Sequence, residues 1–376
     1  MRQRAIPAVF VRGGTSKGLL FHAADLPTDP TERDRLLLAA LGSPDPYGRQ
    51  LDGLGGGSSS LSKAAVIGPP TRDDADVDYT FAQVAVDTPV VDYGANCGNL
   101  SAAVGPFAVD EGLVPTPDDG EALVRIHNTN TGKVIESRFP VVDGRAVVAG
   151  ALAVPGVAGT GAPVRLDFLD PAGSRTGALL PTGRPVDELH LPDGRTIRAS
   201  LVDASNPVVI VAAEEIGLTA AEHPATVDAD TATMALLDQV RRAGGVLMGL
   251  GRTAADVPLS NPKIAVVAAP APSTTLAGER VDADSCDLLV RMVSMEKTHR
   301  AVTVTGALCL GVAARVPGTL PHAIAGQAPR IRLASPSGVL VVDAVMGRRD
   351  GAPHPVSAAL LRTTRRLMQG AVLVPQ

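Results

Sequence analysis

The chain has 376 residues, more than a single domain usually takes. With 45% hydrophobic and 19% charged residues, its composition points to two folded domains and excludes a disordered chain. A net charge of −5 with both signs interspersed, 2% aromatic residues and no Trp leave neither a basic stripe nor stacking platforms, which argues against nucleic acid as a partner. No run approaches the roughly 18 apolar residues of a membrane span, and the opening "MRQRAIPAVFVRGG" lacks a signal sequence's apolar core, so no membrane partner is expected and a cytoplasmic protein is.

Thirty-one Pro and 39 Gly punctuate short Val/Ile/Leu runs, and this pattern predicts a strand-rich α+β fold. "RGGTSKG" (12–18) is a small polar turn before a strand; Lys17 precedes its second glycine, so a phosphate-binding P-loop is rejected. A helix is predicted over 31–41. "DGLGGGSSSLSKAAVI" (52–67) delivers Lys63 to the start of a strand, and reads either as a flexible linker or as a loop wrapping an anion with backbone donors. "NCGNLSAAVGPFAVDEGL" opens a helix over 99–111. "NTNTGK" (128–133) is a hairpin turn and "TGALLPTG" (176–183) a connection. The Pro/Gly-dense stretch 179–195 is a domain boundary, giving domains 1–184 and 185–359. Beyond it, "ASNPVVIVA" (204–212) is again a polar turn feeding a strand, and helices are predicted over 232–243 and 300–314.

The two halves repeat. "SKAAVIGPP", "DADVDYTFAQVAVD" and "NCGNLSAAVGPFAVDEGLV" lie over "PKIAVVAAP", "DADSCDLLVRMVSM" and "HRAVTVTGALCLGVAARV" in the same order. Lys63 then falls on Lys263 and the helix start at Cys97 on His299. A duplicated fold is expected, with a small-ligand cleft between similar halves.

The three cysteines show no CxxC or Cys/His spacing, which fits reduced thiols and no metal site. Cys286 ("CDLLV") and Cys309 ("GALCLGV") have apolar neighbours at core spacing and read as small buried hydrophobes. Cys97 stands among Gly94, Asn96, Gly98 and Asn99, in the first turn of a helix. There free amides and the positive end of the peptide dipoles favour a thiolate or a bound carboxylate alike. A structural thiol at a helix cap is the competing reading. In "MEKTHRA" (295–301) the matching position makes His299 a candidate ligand contact and Arg300 a carboxylate clamp, since guanidinium binds that planar group bidentately.

Seven phrases in order, "RGGTSKG", "DGLGGGSSSLSK", "DYGANCGNLSAAVGPFA", "NPKIAVV", "CDLLVRMVSMEKTHRA", "PSG" and "RTTRRLMQGAV", resemble the PrpF family, relatives of diaminopimelate epimerase, over nearly the whole chain. The resemblance implies two similar halves, each a curved, mostly antiparallel sheet around a central helix, with the active site in the cleft between them. It also implies that residues 360–376 return to complete the first half. Family members isomerise unsaturated tricarboxylates without a cofactor, as in 2-methylaconitate cis-trans isomerase, with 4-oxalomesaconate tautomerase a close relative. The family's acid/base pair carries over onto Lys63 and Cys97, without saying which is acid and which is base. Diaminopimelate epimerase uses a cysteine from each half, and no cysteine stands in "MEKTHRAVTVTG", which argues against a two-thiol amino-acid racemase.

Removing an allylic proton from such an acid gives an extended dienolate. Donors at Asn96, Gly98 and Asn99, with Ser16, Lys17, Ser205, Asn206, His299 and Arg300, are the candidates to hold carboxylates and stabilise it. The expected partner is a small di- or tricarboxylate. The resemblance is also compatible with a homo-oligomer and with a functional link to an aconitase-like iron–sulfur dehydratase. Two readings of other classes compete: a non-catalytic accessory protein of such a dehydratase, and a cysteine hydrolase built on Cys97 and His299.

Overall fold

Two tight turns, each holding a residue in the left-handed region, set up two copies of one topology. Gly14 (φ 50°) folds the strand Gln3–Gly13 back on Ser16–His22, and Ser205 (φ 63°) folds Thr196–Ala204 back on Asn206–Ala212. The structure is a computed structural model describing residues 3–375. It divides into one unit that runs to Leu166 and takes in the chain again from Leu361, and a second unit, Asp167–Leu360.

In the first unit Ser16–His22 runs parallel to Lys63–Gly68, which pairs antiparallel with Val77–Val84. Val77–Val84 in turn runs parallel to Gly120–Asn128, and that strand forms a hairpin with Lys133–Val142 through the turn expected at 128–133. The closing strand Thr364–Pro375 pairs antiparallel with Gln3–Gly13, so the chain's end does return to the first unit. The second unit repeats the sequence of pairings. Asp187–His190, Thr196–Ala204 and Asn206–Ala212 are antiparallel neighbours, Lys263–Ala268 joins in parallel, Leu288–Ser294 is antiparallel to it, Ile331–Ser335 is parallel again, and Gly338–Arg349 closes antiparallel. Lys63 and Lys263 each begin the first strand that joins its set in parallel, and both strands are buried at their first five positions.

Parallel neighbours require a crossover, and the helices supply it. In the first unit Pro30–Leu41 crosses on one face of the sheet. Asp29 caps it by accepting from Glu32 N at 2.8 Å, Pro30 stands in its first turn, and Gly42 ends it at φ 75°. Its Leu36, Leu37, Ala40 and Leu41 pack on Leu19, Phe21, Ala64, Val66, Ala82 and Val84. In the second unit Thr231–Leu247 does the same, with Leu236, Leu237 and Val240 against Leu201, Val209, Ile264 and Val266. The other face of each sheet holds a helix buried all round, Gly98–Asp110 in one unit and Val304–Ala313 in the other. A helix apolar on every side needs partners on every side. Gly98–Asp110 accordingly touches nearly every long strand of its unit, which the sheet can provide only by curving round it. Gly105 permits part of that approach, since a Cβ there would stand 2.6 Å from Ser137 Oγ.

The predicted helices at 31–41, 99–111 and 232–243 agree with these spans apart from their ends. The one at 300–314 does not: it begins at Val304, capped by Thr303, whose Oγ1 accepts from Gly306 N at 3.2 Å. "HRAV" carries helix-compatible residues, but a hydroxyl three residues before a glycine amide offers the better cap. Among the described residues no helix is long and apolar enough to cross a membrane.

Cys309 is fully buried on that second helix, its thiol directed at the carbonyl of Val202 (3.4 Å), and burial pushes its acidity well below that of an exposed thiol. Cys286 is buried too, and burial raises its pKa. Cys309→Ala leaves a small void, and a loss of about 1 kcal/mol by denaturant titration with turnover unchanged is expected. Loss of turnover at unchanged stability would contradict its placement as core.

Candidate active site

Cys97 is the N-cap of the helix Gly98–Asp110. Its φ of −103° and ψ of 92° turn the chain into the helix, and its Sγ accepts from Leu100 N at 3.5 Å. The residue is 8% exposed, so this helix starts inside the protein rather than at the surface. The amides of a first helical turn have no acceptor within the helix, and a buried start concentrates their polarity where water is scarce. The carbonyl of Cys97 is fixed from two sides, by Ser101 Oγ at 3.0 Å and by the hydroxyl of Tyr79 at 3.3 Å. Burial pushes the Tyr79 hydroxyl's pKa well above its usual range; nearby Cys97 adds to this and a bond with Ser101 opposes it, so Tyr79 remains a donor.

Lys63 is 8% exposed and lies opposite Gln83 in the antiparallel register. Its Nζ donates to Gln83 Oε1 at 2.7 Å and sits 4.8 Å from the centre of the Phe81 ring. A carboxamide can be inserted either way round, but here the choice is fixed. Gln83 Nε2 donates to the carbonyls of Ser59 (3.1 Å) and Ser62 (2.9 Å), so only the oxygen is left to face the lysine. The Gly/Ser stretch before Lys63 is therefore neither a loose linker nor, at this point, a set of amide donors: it presents carbonyls. Gln50, 1% exposed, pins it by donating to Ser62 Oγ (2.7 Å) and accepting from Gly57 N (2.9 Å). Tyr79, Phe81 and Gln83 alternate along the strand Val77–Val84 and so share one face. That single face supports both Cys97 and Lys63.

Two arginines add charge to the same unit. Arg362, 3% exposed, donates from Nε to Asn99 Oδ1 at 3.2 Å and from Nη1 to the carbonyl of Leu361 at 3.0 Å. Burial alone lowers its pKa to about 10. Arg12 donates to the carbonyls of Gly14 (3.0 Å) and Thr363 (2.9 Å); burial lowers its pKa, and Arg365 lowers it further. Asn99 Oδ1 also accepts from Thr15 N at 3.3 Å. This close approach requires the two glycines of "RGG". A Cβ on Gly13 would stand 2.6 Å from the Asn99 carbonyl, and one on Gly14 would collide with Asn99 Oδ1.

Of the residues singled out from the sequence, Lys63, Asn96, Cys97, Gly98, Asn99 and Ser16 are all buried in this unit. Asn96 Oδ1 accepts from Ser101 Oγ at 3.4 Å. Gly18 abuts Lys63, as an added Cβ would lie 3.1 Å from Lys63 Cβ, so Ser16, two residues earlier on the strand, shares that face. Lys17 departs from expectation. Strand alternation turns it to the other face, where its ammonium lies 5.7 Å from the centre of the Phe10 ring, and Phe10 packs on the core beneath Pro30–Leu41.

Ser205, Asn206, His299 and Arg300 belong to the second unit. Ser205 is 6% exposed with its hydroxyl unpartnered, and Asn206 Nδ2 donates to the carbonyl of Pro207 at 3.0 Å. His299 Nδ1 bonds with the backbone of Ala301, and Arg300 is exposed, its carbonyl accepting from Ser337 Oγ at 2.6 Å. The equivalence of Cys97 with His299 requires correction. Both central helices are capped by a side chain accepting from the third helical amide, so Cys97 corresponds to Thr303. The second unit also has Met292 opposite Ala265, where the first has Phe81 opposite Ala65, and Lys263 Nζ bonds the carbonyl of Ser260 at 3.2 Å. Among the described residues no group of three His, Cys, Asp or Glu could hold a metal ion.

Tyr79, Phe81, Gln83, Thr15 and Arg362 were not singled out from the sequence. The alternation in "DYTFAQV" was the available signal for the first three, since it puts them on one face. Nothing local marks Arg362, whose partner Asn99 is 263 residues away.

The duplicated sheets with buried helices are the fold of epimerase-type isomerases. A hydroxyproline epimerase from Agrobacterium vitis superposes with a TM-score of 0.58 at 13% identity, covering 100% of this chain and 95% of that one. The family model described as PrpF protein matches residues 3–375, and the chain belongs to the PrpF family. It is 42% identical to a 2-methyl-aconitate isomerase of Cupriavidus necator (99% of this chain, 98% of the relative). It is 41% identical to a 3-methylitaconate isomerase of Eubacterium barkeri (99% and 98%). A solved methylitaconate-delta-isomerase superposes with a TM-score of 0.82 at 41% identity, covering 100% of this chain and 96% of that one. The protein is an enzyme of the isomerase class.

Gln83→Glu preserves shape but sets a carboxylate beside Lys63. An ion pair keeps an ammonium protonated to higher pH, so the pH–rate profile should move toward higher pH by about a unit or more. A pH–rate profile that superposes on that of the wild type would contradict this role for Gln83.

Proposed function

We propose that the protein is a cofactor-independent isomerase of small unsaturated polycarboxylates, most like 2-methylaconitate cis-trans isomerase, with Lys63 and Cys97 transferring the proton. The observation that carries this reading is their common support. A buried ammonium and a buried helix-cap thiol are both held by one face of the strand Val77–Val84, through Gln83 and Phe81 for the lysine and Tyr79 for the cysteine. Neither group has an evident structural duty that requires chemistry this specialised. The 2-methyl-aconitate and 3-methylitaconate isomerases among its relatives act on acids of one kind, with an allylic C–H next to a double bond conjugated to a carboxylate.

In such an acid the double bond delocalises the negative charge left when the allylic proton departs. One member of the pair takes that proton. The dienolate that forms has single-bond character where the double bond was, so rotation there becomes possible. Reprotonation at the same carbon after rotation gives the cis-trans isomer, and reprotonation at the far end of the conjugated system moves the double bond. Positive polarity arranged in advance around the developing charge lowers the barrier. The helix start at Gly98 and Asn99 supplies it, and Asn96 and Ser16 are buried polar groups beside it. Ser205, Asn206, His299 and Arg300 are not needed for this account, which rests on the first unit.

The relatives' names make 3-methylitaconate the second choice of substrate, and a 4-oxalomesaconate-type tautomerisation would use the same pair. Polycarboxylates of this kind are made and consumed by hydration and dehydration. A functional link to an aconitase-like dehydratase, a cytoplasmic location and self-association complete the proposal. A cysteine hydrolase is disfavoured because Thr303, not His299, takes the place equivalent to Cys97.

Proton NMR in D2O with 2-methylaconitate, 3-methylitaconate and 4-oxalomesaconate tests the reading. Deuterium should enter the allylic position, at a rate set by which acid is the true substrate. Cys97→Ala and Lys63→Ala should each abolish exchange, a loss of at least about a thousandfold, while circular dichroism shows the fold intact. Full turnover in either variant removes that residue from the mechanism, and release of a cleaved acid would favour the hydrolase.

A further inference from the structure

The least expected charge in the first unit is Arg362. It closes the strand Ala352–Arg362, is 3% exposed, and has for partners only neutral oxygens, those of Asn99 and Leu361. A guanidinium withdrawn from water is ordinarily matched by a carboxylate, because neutral acceptors return only part of the lost hydration. No such carboxylate is found among the described residues, and burial is the only influence on its acidity, with no charged neighbour contributing. Arg362 has five N–H donors, of which these two bonds use two.

A second observation falls at the same place. The hydroxyl of Thr15 is buried without a hydrogen-bond partner, while the amide of the same residue donates to Asn99 Oδ1, the atom that Arg362 Nε also reaches. One carboxamide oxygen thus gathers a buried cation and an unused hydroxyl beside the first turn of a buried helix. The Gly13–Gly14 turn leaves no side chain in the way. Arg12, bonded to the carbonyl of Gly14, keeps the surroundings positive.

We propose that Arg362 and Thr15, set by Asn99, form a carboxylate seat, and that the anion missing from Arg362 is one carboxylate of the polycarboxylate substrate. The guanidinium gives the paired donors that match a carboxylate's two oxygens, and Thr15 Oγ1 gives a third. This deepens the proposed function and takes from it only the class of ligand. The seat binds charge and leaves proton transfer to Lys63 and Cys97, so an arginine at this position favours acids with one carboxylate more than the reacting group needs.

The test is a titration with saturated acids, which have no double bond and so cannot turn over. Calorimetry would compare propane-1,2,3-tricarboxylate with propane-1,3-dicarboxylate, which lacks one carboxylate. The wild type should prefer the tricarboxylate by about tenfold or more, as expected for a charged hydrogen-bonded pair. Arg362→Met should bind the two acids alike, and Arg362→Lys should keep part of the preference. Because the arginine has no internal counter-charge, the ligand-free Tm of Arg362→Met should equal or exceed that of the wild type. A full preference retained in Arg362→Met, or no preference in the wild type, overturns the proposal. Should Arg362→Met fail to fold, Thr15→Val decides: severalfold weaker tricarboxylate binding supports the seat, and unchanged binding overturns it. Since these titrations need no turnover, a negative exchange experiment and a negative titration remain separate results.

Discussion

A charged side chain shut away from water must be given a partner, and the first unit buries two cations without giving either of them an acid. Lys63 receives a carboxamide oxygen and an aromatic face; Arg362 receives a carboxamide oxygen and a backbone carbonyl. Other charges of the chain are paired with acids: Arg241 and Arg242 share Asp238, Arg332 grips Asp287, and Arg366 bridges Asp110 and Glu111; buried Arg291 donates to the carbonyls of Glu222 and Val290, with the charge of Glu222 offsetting part of its desolvation. Lys63 and Arg362 differ from these pairs in having no acid among their hydrogen-bond partners. Neutral acceptors orient a cation without neutralising it, which leaves it able to answer an anion that arrives from outside. The rigid parts of the unit serve that end, including the doubly anchored amide of Gln83 and the glycine turn against Asn99.

Duplication explains how such a site is built and why it is one-sided. Each unit contains the same order of parallel and antiparallel strands, the same kind of turn at Gly14 and Ser205, a lysine opening the first strand to join in parallel and a buried helix capped by a side chain. The backbone is repeated and the chemistry is not. Where the first unit has Cys97, the second has Thr303, whose hydroxyl caps the helix and lies 3.1 Å from Met292 Sδ. Where Lys63 meets a glutamine and an aromatic ring, Lys263 bonds a backbone carbonyl. A threonine cannot serve as a thiol acid, so the two-cysteine arrangement of an amino-acid racemase is absent from this pair of caps.

How much of this could be read from the sequence depended on whether the determining contacts are local. The helix start at Cys97 was legible because small polar residues and glycines precede an apolar run, and the repeat was legible because matching phrases recur in order. The second helix start was misplaced by four residues. "HRAVT" contains no glycine or asparagine stop, and the deciding bond, Thr303 Oγ1 to Gly306 N, competes with equally plausible starts upstream. Lys17 looked like a site cation because it stands in a polar turn, but strand alternation sends successive residues to opposite faces and carries it away from Lys63. Gln83 was hidden for the opposite reason: a glutamine in an alternating strand reads as a surface residue, and only the register that sets it across from Lys63 gives it a task.

Arg362 shows the limit of local reading most clearly, and its placement bears on the substrate more than on the fold. The whole chain carries a net charge of −5, which at long range repels a polyanion. Attraction must then come from short distance, where counter-ions in solution screen little because the groups are buried. Three sources act over that range in the first unit: the amide end of Gly98–Asp110, the ammonium of Lys63, and the guanidinium of Arg362 with Arg12 behind it. The guanidiniums of Arg362 and Arg12 are held by neutral oxygens before any ligand arrives. On the proposed function, a carboxylate entering there would exchange its hydration for preoriented donors, and the extra charge left when a proton leaves the substrate would form within a field already turned toward it. On the function proposed above, recognition of the acid and stabilisation of its conjugate base would fall to one set of positive groups in this unit.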